Sequence, residues 1–202
     1  RVDALICLNK EVIEPKSVSF EYSNGFYQAI KEVYGNKING DLLNQVIIRS
    51  ILNGERTLDI DANNCYENPK YTLHSDKTKE IEDKLNKFVK SKVIYRFGSK
   101  NEIIDYKLIR EWLRVNRNLD IIIDEQEIHN YLKELAKKYN TIGIKRNFKT
   151  STGKTVEVSG GLYGWKIDLL GEKEILLEEI QSGRIIQREP IYAQRALSRE
   201  EN

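Results

Sequence analysis

Tyr34-Gly35-Asn36-Lys37-Ile38-Asn39 recurs later in the chain as Tyr163-Gly164-Trp165-Lys166-Ile167-Asp168. The likeness continues in register: Val46, Ile47, Ile48 and Ile51 answer to Ile175, Leu176, Leu177 and Ile180. Asn53-Gly54 answers to Ser182-Gly183, so Gly35 to Gly54 and Gly164 to Gly183 each span 19 residues. Upstream, Phe20-x-Tyr22-x-Asn24-Gly25 lines up with Phe148-x-Thr150-x-Thr152-Gly153, one residue out of step, and each copy runs on to a tyrosine, Tyr66 or Tyr192. A duplication of this length bears on architecture before any single element is judged, because each copy should fold as one supersecondary unit. The reading is therefore two repeats, with residues 1–72 the C-terminal part of a first unit and residues 73–202 a complete second one. The first repeat is incomplete, and a chain that opens on Arg1 and holds no methionine is expected to have sequence upstream.

Local patterns fill in the unit. Val18 to Tyr22, the turn Ser23-Asn24-Gly25, and Phe26 to Val33 read as a hairpin, because Asn-Gly supplies the positive-φ residues of a tight turn. Phe148 to Thr150, Ser151-Thr152-Gly153-Lys154, and Thr155 to Val158 repeat that form. Helices are expected over Asp41–Leu52 and Leu170–Gln181, closed by Gly54 and Gly183. Leu43, Val46, Ile47 and Ile51 mark the buried face of the first, and Leu176, Leu177 and Ile180 that of the second. Between the copies lie Thr78–Lys90, with Ile81, Leu85, Phe88 and Val89 on one stripe, and Tyr106–Val115 behind the N-cap Asp105. A third helix opens at the capping-box-like Asp124-Glu125-Gln126-Glu127 and carries Ile128, Tyr131, Leu132, Leu135, Ala136 and Tyr139 at helical spacing. Short strands fit Lys92–Phe97 and Leu119–Ile123, Asp59-Ile60-Asp61 reads as a strand with one wet face, and the polar stretch Asn68–Lys77 marks the boundary between units. The fold class is α+β, with helices packed on a small, mainly antiparallel sheet in each unit.

Composition is that of an ordinary soluble protein, 32% charged and 40% hydrophobic with a net charge of +2. Up to Lys77 there are 9 Lys/Arg against 11 Asp/Glu, and beyond it 24 against 20, an asymmetry too weak to point to nucleic acid or an anionic membrane. No apolar run reaches membrane-spanning length and the chain does not open on a signal peptide, so any membrane link is expected only through an N-terminal anchor absent from this sequence. Cys7 and Cys65 fit no zinc or redox spacing; they read as two buried thiols or as one disulfide.

The sequence offers no catalytic constellation and implies no cofactor. It lacks a glycine-rich phosphate loop and a nucleophile elbow. His74 and His129 have no second His or Cys at ligand spacing, so no metal site is expected. Cys65 has only Asn64 and Tyr66 beside it, which supply no base to form a thiolate. Binding residues are easier to find. Lys137, Lys138, Lys145, Arg146, Lys149 and Lys154, with Tyr139 and Phe148 among them, form a basic stretch that suits an anionic polymer. It also fits a solvated helix end followed by a lysine-guarded hairpin edge. Gly160-Gly161-Leu162-Tyr163-Gly164-Trp165 suits either aromatics stacked on sugar faces or a turn whose aromatics enter the core.

These passages carry a family resemblance. Phe148-Lys149-Thr150-Ser151-Thr152-Gly153, Gly160 to Asp168 and Arg188-Glu189-Pro190-Ile191-Tyr192 resemble the peptidoglycan-binding domain that directly precedes the catalytic domain of Gram-positive L,D-transpeptidases. The resemblance covers roughly residues 78 to 195, while Cys65-Tyr66-Glu67-Asn68-Pro69 resembles the close of a preceding copy. The family's nucleophile is a cysteine in a Ser-x-Gly-Cys setting, which neither Cys7 nor Cys65 matches, so this stretch is expected to be non-catalytic. The resemblance implies an extracellular place facing the cell wall, with peptidoglycan glycan strands or stem peptides and a C-terminal catalytic domain of the same chain as partners. The parent would form 3→3 cross-links. Arg146, Lys149 and Lys154 would then pair with carboxylates, and Tyr163 or Trp165 would stack on a sugar. Two alternatives share these residues: a rigid spacer without glycan affinity, and a module of the vancomycin-resistance-associated surface proteins.

Overall fold

Asn24 and Gly25 occupy positive φ (52° and 92°) between paired Ser23 and Phe26, closing the two-residue hairpin of β1 (Ser19–Ser23) and β2 (Phe26–Ile30). The computed structural model describes residues 11–196. It divides into two compact units, Arg1–Glu82 with Arg117–Leu119, and Asp83–Asn116 with Asp120–Asn202. The division falls inside helix α2 (Asp76–Lys90).

In the first unit, helix α1 (Gly40–Leu52) starts on Asn39, whose side chain accepts from the Leu42 N–H at 3.0 Å. It ends in a full Schellman motif: Gly54 at φ 72° donates to the Ile51 carbonyl at 3.1 Å, and Glu55 to the Ser50 carbonyl at 3.0 Å. Leu43, Val46 and Cys65 are buried together, with Ile38, Ile47, Leu58 and Ile60 packed around them. Cys65 is a buried free thiol, and Cys7 lies outside the described residues. Two expectations fail here. Ile51 is 69% exposed and Ser50 takes its place on the buried face. Asp59 to Asn64 form turns rather than a strand, because Asp59 accepts from the Ala62 and Asn63 N–H groups and bends the chain.

The second unit is organised on β3 (Lys92–Phe97), whose Val93, Tyr95 and Phe97 alternate into the core. β3 pairs antiparallel with β4 (Lys100–Ile104) and parallel with β10 (Ile185–Arg188), giving the order β10-β3-β4. Helix α3 (Tyr106–Trp112) does begin on Asp105 but stops three residues short of the expected end. Leu113–Val115 instead form β5 and pair with the β-branched run of β6 (Ile121–Ile123), whose ladder hydrogen bonds outweigh another helical turn. Leu119 sits at φ 57°, which removes it from the expected strand.

Asp124 accepts from the Glu127 N–H and opens α4 (Glu125–Tyr139), which buries Ile128, Leu132, Leu135 and Ala136. The following strands β7 (Gly143–Lys149) and β8 (Thr155–Gly160) form a two-stranded sheet of their own. Asp168 caps α5 (Leu169–Ser182), which lies against β3 and α4 and fully buries Leu176 and Ile180. The fully buried Ser91 ties its end to β3: its Oγ donates to the Ile180 carbonyl (2.6 Å) and accepts from the Gly183 N–H (2.9 Å). Replacing Asp168 by Ala strands the Leu170 and Gly171 N–H groups it now holds at 3.2 Å. We expect a loss of about 1 kcal/mol, seen as a lower thermal midpoint by tryptophan fluorescence.

Local devices recur between the sequence copies. Ile38 bridges Tyr66 antiparallel, as Ile167 in β9 (Lys166–Ile167) pairs with Tyr192 in β11 (Tyr192–Gln194). The N-cap residues Asn39 and Asp168 donate their backbone N–H to Cys65 and Ile191, both at 2.9 Å. The helix faces differ: α1 buries Leu43, Val46 and Ser50, whereas α5 buries Glu172, Leu176 and Ile180.

Candidate functional site

Arg146 and Tyr163 are brought together at the base of the β7–β8 hairpin. Gly160 pairs with Gly143 so closely that a Cβ at Gly160 would fall on the Gly143 backbone, which lets the two strands pinch and sends the chain into the loop Gly161–Gly164. The Arg146 guanidinium lies 5.2 Å from the Tyr163 ring centroid. It donates to the carbonyls of Thr141 (2.8 Å), Ile144 (3.1 Å) and Tyr163 (3.3 Å). Arg146 thus holds the loop in place while facing an aromatic ring.

Trp165 is placed differently. Its N–H donates to Thr141 Oγ1 at 2.9 Å, and its carbonyl accepts from Thr141 at 3.0 Å and Ile142 at 3.3 Å. Its ring is half-buried, edge-on to Tyr192 with centroids 4.7 Å apart. Tyr163 remains 40% exposed and its neighbour Leu162 84%.

Lys149 and Lys154 sit at the far end of the hairpin, both exposed, where Thr150 and Lys154 close the turn with a 2.8 Å backbone bond. Three residue steps along the strand take the chain from Arg146 to Lys149, roughly 10 Å. Alternation puts Lys149 on the face of Asn147 and Glu157, away from Arg146 and Phe148. The Arg146 face carries Phe148, Val156 and Val158, 61%, 45% and 48% exposed, so hairpin and loop together present aromatic and apolar surface beside cations. Phe148, an aromatic interleaved in the basic stretch of the sequence, is exposed because the hairpin gains no third strand among the described residues.

Elsewhere in this unit lies a concavity of about 410 Å³ that nothing in the sequence pattern marks. Glu102 of β4 and Tyr131, Glu134, Leu135, Lys137 and Lys138 of α4 line it. Glu102 Oε1 accepts from Lys138 and from the Tyr139 hydroxyl at 2.6 Å. Those two bonds, Lys138 first, hold the Glu102 carboxyl below the usual carboxylate range. Burial, with Glu102 nearby, pushes the Tyr131 phenol up to about 12. Phe97 stacks flat on Tyr139, centroids 3.7 Å apart, which orients the ring whose hydroxyl holds Glu102. Nothing in the local sequence marks Glu102, since Lys100-Asn101-Glu102 carries no apolar alternation that would announce β4.

The passage Arg188 to Tyr192 is structural. Arg188 forks onto the fully buried Glu172 (2.5 and 3.0 Å) and onto Glu179 (2.7 and 2.8 Å). The Tyr95 hydroxyl (2.5 Å) and the Ile191 N–H (2.6 Å) complete the shell of Glu172. Among the described residues, no group of three or more His, Cys, Asp or Glu could hold a metal ion, and no helix is long and apolar enough to cross a membrane.

Two solved structures are similar to the chain. One is the Ldtfm–avibactam carbamoyl enzyme, at 29% identity and TM-score 0.47, covering 58% of this chain and 46% of that one. The other is the C442S mutant of the Enterococcus faecium L,D-transpeptidase, at 26% identity and TM-score 0.45, covering 60% and 46%. The chain thus spans under half the length of either. Among curated proteins, none matches. The family model described as "Putative peptidoglycan binding domain" matches residues 72–186, which takes in β3, β4, α3, α4, the β7–β8 hairpin, the Tyr163 loop and α5. On that match, which runs over more than half of its residues, the chain belongs to the peptidoglycan-binding-domain family.

Proposed function

We propose that this chain is a non-catalytic accessory region that holds or positions peptidoglycan for a cell-wall L,D-transpeptidase, outside the membrane. The carrying observation is the family match at 72–186, within which exposed Phe148 and Tyr163 flank the half-buried Arg146. Aromatic rings suit the C–H faces of sugars, and Lys149 and Lys154 offer ammonium groups to stem-peptide carboxylates. Trp165 supports this face by packing on Tyr192 and is a positioning residue in the proposal. Linked units along a polymer gain from effective concentration, so weak single contacts suffice, and a first unit ending near residue 72 followed by a second over 73–202 fits that logic. The parent enzyme would take an acyl group from a tetrapeptide stem onto a thiolate of a C-terminal catalytic domain and pass it to an acceptor amine, making 3→3 cross-links. Cys65 does not suit that chemistry: it is buried, and its chain neighbours Asn64 and Tyr66 supply no base.

One observation favours a second reading, a rigid spacer. Arg146 spends its donors on three backbone carbonyls, which is what a purely structural residue does. Co-sedimentation with insoluble Gram-positive peptidoglycan at low and physiological salt separates the two. Attraction between exposed charges fades beyond about 8 Å at physiological salt, so pelleting that survives there reflects specific contact. Changing Tyr163, Lys149 and Lys154 together to Ala is expected to weaken that pelleting about tenfold, equivalent to ~1.4 kcal/mol. A chain that stays in the supernatant at both salts is a spacer.

A further inference from the structure

We infer that the cleft between β4 and α4 is a second ligand site, built for a secondary amide that carries a small apolar group. Its charges are already matched in pairs: Lys138 with Glu102, and Lys137 with Glu134 at 3.6 Å on the rim. A charged ligand would therefore gain one partner and meet a like charge beside it. What the walls leave open is one acceptor and one donor. Both hydrogen bonds to Glu102 fall on Oε1, and among the described residues nothing donates to Oε2. The Tyr131 hydroxyl likewise makes no hydrogen bond among the described residues, while its ring is held edge-on by Trp112 at 5.6 Å. An amide presents one N–H and one C=O, which answer Glu102 Oε2 and the Tyr131 O–H in turn. Leu135, 4% exposed, gives an apolar floor for a methyl group. The volume of about 410 Å³ lies in the range of small-ligand clefts.

Two sources carry this chemistry in peptidoglycan: the N-acetyl groups of its amino sugars and the peptide bonds of its stems. Only that assignment to peptidoglycan rests on the function proposed above; the amide follows from the cleft itself.

The test titrates the whole chain, by amide-resolved NMR, with an N-acetylglucosamine disaccharide, its deacetylated counterpart, and a capped lysine-containing stem tetrapeptide. We expect saturable shifts at Glu102, Tyr131 and Leu135 with the acetylated sugar or the peptide, and none with the deacetylated sugar. Tyr131→Phe and Glu102→Gln should each weaken binding about tenfold, the usual cost of an unmet hydrogen bond, while thermal midpoints stay near that of the parent chain. Which probe binds names the source. If neither probe shifts these residues, or if both variants bind as the parent chain does, the cleft is not a site, even where the chain still pellets with peptidoglycan. Probe binding through the cleft by a chain that does not pellet would keep the site and sink the peptidoglycan assignment.

Discussion

Arg188→Ala should destabilise the second unit by about 3–5 kcal/mol, the cost of leaving a buried charge without its partner. The stranded groups are Glu172, fully buried, and Glu179, whose side chain is 11% exposed. Arg188 closes two parallel forks at once, and its guanidinium also lies 5.1 Å from the Tyr95 ring centroid. Burial, and after it the Glu172 carboxylate, keeps the Tyr95 phenol well above its ordinary range, so Tyr95 remains a hydrogen-bond donor. Two further variants separate charge from packing. Arg188→Met keeps most of the stem, so it should be nearly as damaging as Ala if the unpaired carboxylates dominate. Arg188→Lys keeps the charge but cannot close two forks, and should fall between. Both tryptophans, Trp112 and Trp165, lie in this unit, so fluorescence-monitored urea unfolding reads it directly. A loss below 1 kcal/mol for Arg188→Ala would mean that water reaches Glu172 and that the network contributes little.

This network also marks the limit of what could be read from sequence. A glutamate in the first turn of a helix ordinarily faces water and the helix dipole, so Glu172 gave no sign of burial. Its partner lies 16 residues on, across a turn and a strand. Signals carried by neighbouring residues were legible: the Asn24-Gly25 turn, the caps Asp105 and Asp124, the glycines after α1 and α5, and the apolar stripes of α2 and α4. What depends on distant partners was not. β10 finds β3 in parallel pairing from the far end of the unit, and Ile51 fits its helical stripe yet is 69% exposed. The candidate face divides the same way. The residue types around Arg146 and Tyr163 were readable, but the spending of the arginine on three carbonyls, and the placing of Lys149 on the opposite face, come from register. Glu102 was invisible because its partners Lys138 and Tyr139 stand 36 and 37 residues away.

Gly164→Ala is expected to cost about 3 kcal/mol and to take wall binding with it. The glycine is buried at φ 141°, a backbone region that L side chains rarely adopt, which alone costs roughly 1–3 kcal/mol. An added Cβ would also lie within 3.0 Å of the Thr141 carbonyl and the Ile142 nitrogen, so backbone would have to move. The backbone in question is the rung on which Trp165 is hung through Thr141 and Ile142, and the anchor from which Arg146 reaches Tyr163. Forcing it apart therefore shifts Tyr163 and Trp165 together, while the exposed cations at the hairpin tip stay where they are. Gly161→Ala is the control: it also sits at positive φ (48°), but the nearest atom to its Cβ is 4.0 Å away, so only conformational strain of about 1 kcal/mol applies. Measured below both melting transitions, pelleting with peptidoglycan should fall for Gly164→Ala and hold for Gly161→Ala if the aromatic loop is the binding element. Equal pelleting by both would assign binding to the lysines at the tip, since Gly164→Ala moves the loop and leaves them in place.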